Sequence, residues 1–339
     1  MPDFDPHSQE PALSRSYLRG LACATALLCL YCLINVLADP TGEFGLSGRF
    51  DFNRAPPPEA IAEGEAGNDP AFYARAIRES AANVFLIGTS RTWRGFDTCS
   101  RPDLLRVAGT AWGISELARV QQSVLESRDR PATLLVEIGL PEDEGGRIGS
   151  PLANAISVAL SPRTFVLSLR TIAGSVNGQP APAYIRCAPF PSPRTDWAEA
   201  ARTLRAAVTL VDATPASLSH GRANVLALAD AADRVCARTG IRHHLVYFSL
   251  PPTPAGSPAP ALDQIIQLNS ARLASAFARR PHPARGCSIL YANYTRDPPG
   301  PAALRLLWRD RRHWSDFAHY GPELGEFALQ PLLDAARAN

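Results

Sequence analysis

Residues 83–97, NVFLIGTSRTWRGFD, decide how the rest of the chain is read. Val84 to Ile87 is a short β-branched and aromatic run, the composition of a strand buried on both faces. Gly88 and Thr89 interrupt it, which places Ser90 at the strand's carboxyl end. Open parallel sheets bind ligands at that edge, so a serine in a tight turn there has an exposed hydroxyl and an available N–H. Serine also caps helices, and this stretch alone does not separate the two roles.

Working outward, Leu104–Ala108 reads as a second strand and Ala132–Ile138 as a third, closed by Gly139-Leu140-Pro141. Between them Ile114–Glu126 places Ile114, Leu117, Val120 and Val124 at helical spacing. A helix over 70–80 precedes the first strand. Farther on, helices over 164–172, 198–211, 223–238 and 261–278 accompany strands over 242–249 and 288–292. Such alternation predicts an α/β fold with a parallel sheet and helices on both faces. A Pro-rich insertion near 177–196 interrupts it. His243 and His244, adjacent in a strand, point to opposite faces and do not converge on one metal.

The composition is that of a globular protein, 46% apolar and 19% charged, with a net charge of +2 and no basic stripe. A nucleic-acid partner is therefore not expected. The chain contains no lysine at all, which excludes a Ser–Lys dyad, a Schiff-base lysine and a P-loop lysine.

Gly20 to Ala38, GLACATALLCLYCLINVLA, is apolar except for Asn35. As a helix it rises roughly 28 Å, close to the hydrocarbon thickness of about 30 Å. Arg15 and Arg19 precede it while Asp39 and Glu43 follow. The positive-inside rule then leaves residues 1–19 cytoplasmic, 20–38 as an inner-membrane anchor and the remainder exported. Val36-Leu37-Ala38 also offers a signal-peptide cleavage site, but the apolar run exceeds the usual length of such a core. Residues 39–69 read as a juxtamembrane linker and 70–339 as the α/β domain. Cys23, Cys29 and Cys32 lie in the anchor. Cys99, Cys187, Cys236 and Cys287 lie beyond it without metal-site spacing. In an oxidising compartment these four permit two disulfides in three pairings, and the sequence does not choose among them.

The C-terminal stretch contains Asp-x-x-His twice, as Asp310/His313 and Asp316/His319. An Asp three residues before a His is placed to accept from its Nδ1–H, leaving Nε2 to take a proton from a serine. Pro322 and Glu323 suit the first turn of a final helix. His319 sits just before that helix, whereas His313 lies in a loop with Arg309, Arg311 and Arg312. Asp316/His319 is therefore preferred and Asp310/His313 is the alternative.

Taken together, the anchor, Asp39-Pro40, Gly88-Thr89-Ser90-Arg91 and Asp316-Phe317-Ala318-His319-Tyr320 resemble, in that order, the SGNH-hydrolase superfamily. The closer likeness is to its bacterial membrane-anchored members in cell-surface polysaccharide modification, including the alginate O-acetylation type. The resemblance spans about residues 35 to 335. It implies a three-layer α/β sandwich with a flavodoxin-like parallel sheet behind the single transmembrane helix. It also implies Ser90 as nucleophile, His319 as base and Asp316 as its orienting partner. The Ser90 and Gly113 N–H groups, with Gly109 behind, supply the oxyanion site. The Gly-x-Asn expected after the third strand is replaced by Gly139-Leu140-Pro141, and proline has no N–H to donate. Arg91 is then a candidate substitute, and Arg91, Arg94, Trp93 and Trp112 are candidate contacts to a glycan. The implied partners are an ester-bearing envelope polysaccharide and a membrane acyl-donor protein, with no metal or nucleotide cofactor. The implied activity is that of an esterase or O-acyltransferase, and the alternative is a non-catalytic scaffold of an envelope assembly.

Overall fold

In the computed structural model the described residues are 10–40, 44, 46, 49–53, 77–78, 80–98, 101–109, 112–139, 151–177, 197–198, 201–202, 214–255, 258–281, 283 and 285–338. Most of the expected helices at 70–80 and 198–211, the Pro-rich insertion, residues 54–69, Leu140, Pro141, Cys99 and Cys187 lie outside them.

The elements in chain order are α1 (Glu10–Ala38), β1 (Val84–Gly88), α2 (Ser90–Gly95), β2 (Leu104–Ala108), α3 (Ile114–Ser127) and β3 (Thr133–Glu137). There follow α4 (Pro151–Leu160), α5 (Pro162–Val176), α6 (Pro215–Thr239), β4 (His244–Ser249), α7 (Pro260–Ala278) and β5 (Ser288–Asn293). After a helical turn at Ala302–Arg305 the chain closes with α8 (Pro322–Ala338). Helix α4 is not apparent from the sequence pattern. Helix α6 starts well before Ala223, because Thr214 caps it by accepting from the Ser217 N–H at 3.2 Å.

The five strands form one all-parallel sheet in the order β2-β1-β3-β4-β5. Alternate side chains enter two separate cores, as the pleat requires. Phe85, Ile87, Val107, Val136 and Tyr247 pack under α3, α6 and α7, while Leu86, Leu104, Leu135 and Phe248 pack under α8. Burial on both faces explains why the strands are continuous apolar runs and not alternating ones. The register aligns Gly88 with Ala108, Glu137 with Phe248 and Ser249 with Asn293, so the carboxyl ends share one edge.

Cys236 of α6 is bonded to Cys287 at the entrance to β5. Beside it, the buried Asp233 accepts from the Cys287 N–H at 2.7 Å and pairs with Arg280.

Within α1, Ser16–Ala38 is long and apolar enough to cross a membrane, with a mean hydropathy of 2.3. Its carboxyl end is fastened. Asp39 accepts from the N–H groups of Phe44 and Leu46, and the Asn53 side chain donates to the carbonyls of Leu37 and Leu46. Asp39, Phe44, Leu46 and Asn53 are therefore folded onto the helix end.

Candidate active site

Helix α2 begins directly at the end of β1. Gly88 permits this reversal, because a Cβ there would overlap the Thr92 side chain folded back over it. Thr89 caps the helix by accepting from the Arg91 N–H at 3.3 Å. Ser90 is thus the first helical residue, where intrahelical bonding leaves the N–H unsatisfied. At the far end of α2, the buried Arg106 donates to the carbonyls of Trp93 and Phe96 at 2.7 and 2.6 Å.

His319 reaches the same edge on a clipped loop. Trp314 and Tyr320 form an antiparallel bridge, and the His319 carbonyl accepts from both the N–H and the hydroxyl of Ser315. Trp314, Phe317 and Tyr320 are buried beneath the loop and leave His319 on its outer side. Gly95 is required where the loop meets α2, since a Cβ there would occupy the Tyr320 ring.

Ser90 Oγ lies 2.9 Å from His319 Nε2 across 229 residues of chain. His319 Nδ1 lies 2.8 Å from each carboxylate oxygen of Asp316. Oδ1 also accepts from the N–H groups of Ala318 and His319 at 2.7 and 2.9 Å, and Oδ2 pairs with Arg94 Nη1 at 3.2 Å. Burial opposes ionisation of Asp316. The hydrogen bond and charge of His319, with the two backbone donors, outweigh that effect and hold the carboxyl below its ordinary range. An ionised Asp316 accepts only, so Nδ1 carries the ring proton and Nε2 accepts from the Ser90 hydroxyl. Chemically, this arrangement can turn a serine into a nucleophile.

Beneath Ser90 lies a second cluster that the sequence reading did not identify. Glu137, 2% exposed at the end of β3, accepts from Thr92 Oγ1 at 2.5 Å and from the Tyr320 hydroxyl at 3.1 Å. Arg91 Nε lies 3.2 Å from its other oxygen. The Arg91 guanidinium also donates to the carbonyls of Pro251 and Pro252 and lies over the Tyr320 ring, 5.3 Å from its centroid. Burial, and then the Glu137 charge, push the Tyr320 phenol well above its ordinary range, so it stays a donor. The residues following Ser90 and the residue following His319 thus converge on one carboxylate, which fixes Ser90 and His319 relative to each other. The signal in the sequence is a lone glutamate in the apolar run TLLVEI, since a buried carboxylate demands partners.

Several expected roles do not fit this geometry. The Arg91 guanidinium is committed to Glu137 and two proline carbonyls, and does not point at an open substrate surface. Trp112 is 5% exposed in the core with Leu117 and Val120, because the chain turns inward there to start α3. The Gly113 N–H donates to Glu116 Oε2 at 2.9 Å, since the glutamate at the third helical position reaches back to the N-cap N–H. The Gly109 N–H donates to the Gly88 carbonyl at 3.3 Å. Both candidate oxyanion donors are therefore occupied within the fold. The alternative pair is also separated: Asp310 is bound by Arg312, and His313 Nδ1 lies 2.5 Å from Glu323 Oε2. Arg94, weighed as a glycan contact, pairs instead with Asp316.

Among the described residues no group of three or more His, Cys, Asp and Glu side chains is placed to hold a metal ion. Compared with known proteins, the chain matches no family model and no curated protein.

Proposed function

We propose that the protein is an SGNH-type esterase or O-acyltransferase, held at the inner membrane by α1 with its α/β domain on the periplasmic side. The observation that carries this reading is the Ser90–His319–Asp316 relay at the carboxyl edge of the parallel sheet. The strand order β2-β1-β3-β4-β5, with helix-covered cores on both faces, supports the flavodoxin-like three-layer arrangement that the resemblance implies. The Cys236–Cys287 bond supports an oxidising compartment.

Ser90 Oγ attacks an ester carbonyl as His319 Nε2 takes its proton, and the new C–O bond gives a tetrahedral oxyanion. Collapse breaks the bond to the leaving alcohol, which receives the proton from His319. Water or a sugar hydroxyl then attacks the acyl-Ser90 ester, and His319 again carries the proton. The Ser90 N–H, on the first turn of α2, is the oxyanion donor. An ester-bearing envelope polysaccharide is the substrate class, and a membrane acyl-donor protein supplies the acyl group in the transferase case.

One observation favours a second reading, a non-catalytic scaffold of an envelope assembly. The N–H groups of Gly109 and Gly113 are already bonded within the fold, and loss of one oxyanion donor lowers turnover by about 10²–10³. The deciding experiment treats detergent-solubilised full-length protein with a fluorophosphonate and maps the adduct by mass spectrometry. The enzyme reading expects one adduct on Ser90, absent in Ser90→Ala. No adduct on either protein favours the scaffold.

A further inference from the structure

Helix α5 is inside out for a helix in water. Its buried positions are Thr164, Leu167, Ser168 and Thr171, three of the four polar, while Val166, Leu169, Ala173 and Val176 form an exposed stripe at helical spacing. Val166, Leu169 and Val176 are 50%, 47% and 74% exposed, and α4 adds Ile156 and Leu160 at 50% and 47%. A helix covering an aqueous domain has the opposite distribution.

The hydrogen bonds of this hairpin fix its level. Asn35 Nδ2 donates to the carbonyls of Ala159 and Ser161 at 2.8 and 3.4 Å, and the Tyr31 hydroxyl donates to Leu160 at 3.3 Å. Ser168 Oγ donates back to Asn35 Oδ1 at 3.1 Å, and the Tyr31 and Phe165 rings stack at 4.7 Å. Tyr31 and Asn35 lie inside the apolar span Ser16–Ala38. At about 1.5 Å per residue they are roughly 10 Å and 5 Å short of its end. Whatever bonds to them shares that layer.

The bonding also fits a medium without water. The last carbonyls of a helix have no intrahelical donors and need partners wherever water is excluded. Here the last two carbonyls of α4, those of Ala159 and Leu160, receive donors from α1, and the one amide in the span has its polar atoms paired in return. Helix α1 likewise leaves Leu27, Leu30 and Leu33 exposed. Arg170, exposed on α5 near the level of Asn35, is long enough to reach a headgroup layer, and Arg163, at the deeper corner, has a partner within the protein.

From this geometry we propose that α4 and α5 form a helical hairpin inserted into the exported-side leaflet beside α1, with lipid acyl chains covering Val166 and Leu169. The proposal rests on α1 being a membrane span. Because α5 runs from the level of Tyr31 towards the turn at Asp51–Asn53, Val166 and Leu169 lie deeper than Val176.

The test places full-length protein in lipid nanodiscs, with a spin label on p-acetylphenylalanine introduced singly at positions 27, 166, 169, 176 and 238. This chemistry leaves the native cysteines intact, and Arg238 on α6 is the aqueous reference. At 166 and 169, collision with a water-soluble nickel chelate should fall about tenfold below that at 238, with oxygen collision high and position 176 intermediate. If 166 and 169 are as open to the chelate as 238 while 27 is shielded, the hairpin is outside the lipid although the anchor stands. If 27 is equally open, the anchor and the hairpin proposal fall together. Low collision with both reagents at 166 and 169 means that protein covers the stripe, and this also overturns the proposal.

Discussion

Asp310–His313 and Asp316–His319 have the same spacing and lie six residues apart, yet they have opposite fates. Asp316 is enclosed by two backbone N–H groups, Arg94 and the His319 ring, which leaves the other ring nitrogen on Ser90. Asp310 is captured by Arg312, whose hydrogen bonds hold its carboxyl down to about 2, and His313 turns to Glu323 instead. The difference teaches that the spacing permits a relay without creating one. What selects the working pair is the bridge between Trp314 and Tyr320, which aims His319 at the carboxyl end of β1.

The comparison breaks most sharply at the reacting groups. Ser90→Ala or His319→Ala should lower turnover of an acyl ester by about 10⁴-fold or more, whereas His313→Ala should leave it within about twofold; steady-state kinetics on folded variants checks this. Next in size, Asp316→Asn removes the negative charge and replaces one of the two oxygens facing His319 Nδ1 with an NH₂ donor, which disfavours the working tautomer. It should cost about 10³–10⁴ in kcat, while Asp310→Asn stays near wild type.

Glu137 belongs to only one arm of the comparison. Glu137→Gln leaves the partly buried Arg91 without its carboxylate and should lower stability by about 2 kcal/mol, read from the denaturation midpoint at constant slope. Turnover should fall less, because the amide oxygen can still accept from Thr92 and Tyr320 and only Arg91 loses its carboxylate partner.

The smallest expected effect concerns a histidine outside both motifs. His243 is fully buried with Nδ1 accepting from the Ala132 N–H, and burial, then His244, lower its pKa from 6.5 to about 4. The folded protein therefore binds this proton less readily than the unfolded chain. Its contribution is complete above about pH 6.5 and declines towards pH 4, amounting to at most about 3 kcal/mol. Thermal melts of wild type and His243→Asn between pH 7 and 4 should converge as acid removes the difference.

The sheet was legible because its strands are buried on both faces. Leu104–Ala108 has the bounds read from composition, and β1 differs by a single glycine. Ser90 and Asp316–His319 were legible for another reason: the chemistry imposes local spacing and a place beside an element end. Glu137 was not, because its partners Thr92 and Tyr320 stand 45 and 183 residues away and only folding brings them together. Gly113 shows a signal present and unread, since a glutamate three residues after an N-cap reaches back and consumes its N–H. Arg91 and Trp112 were assigned by proximity in sequence to the site. The first turn of α2 and the entry to α3 rotate both inward. Helix α5 extends beyond the expected 164–172 at both ends, starting at the Ser161 cap and running to Val176.

The most direct test of the relay is the rate at which a fluorophosphonate modifies Ser90, followed by intact-protein mass spectrometry in full-length wild type, His319→Ala and His313→Ala. Modification at the wild-type rate in His313→Ala, with a loss of about 10³-fold or more in His319→Ala, is the predicted result. Equal rates in His319→Ala and wild type would contradict it.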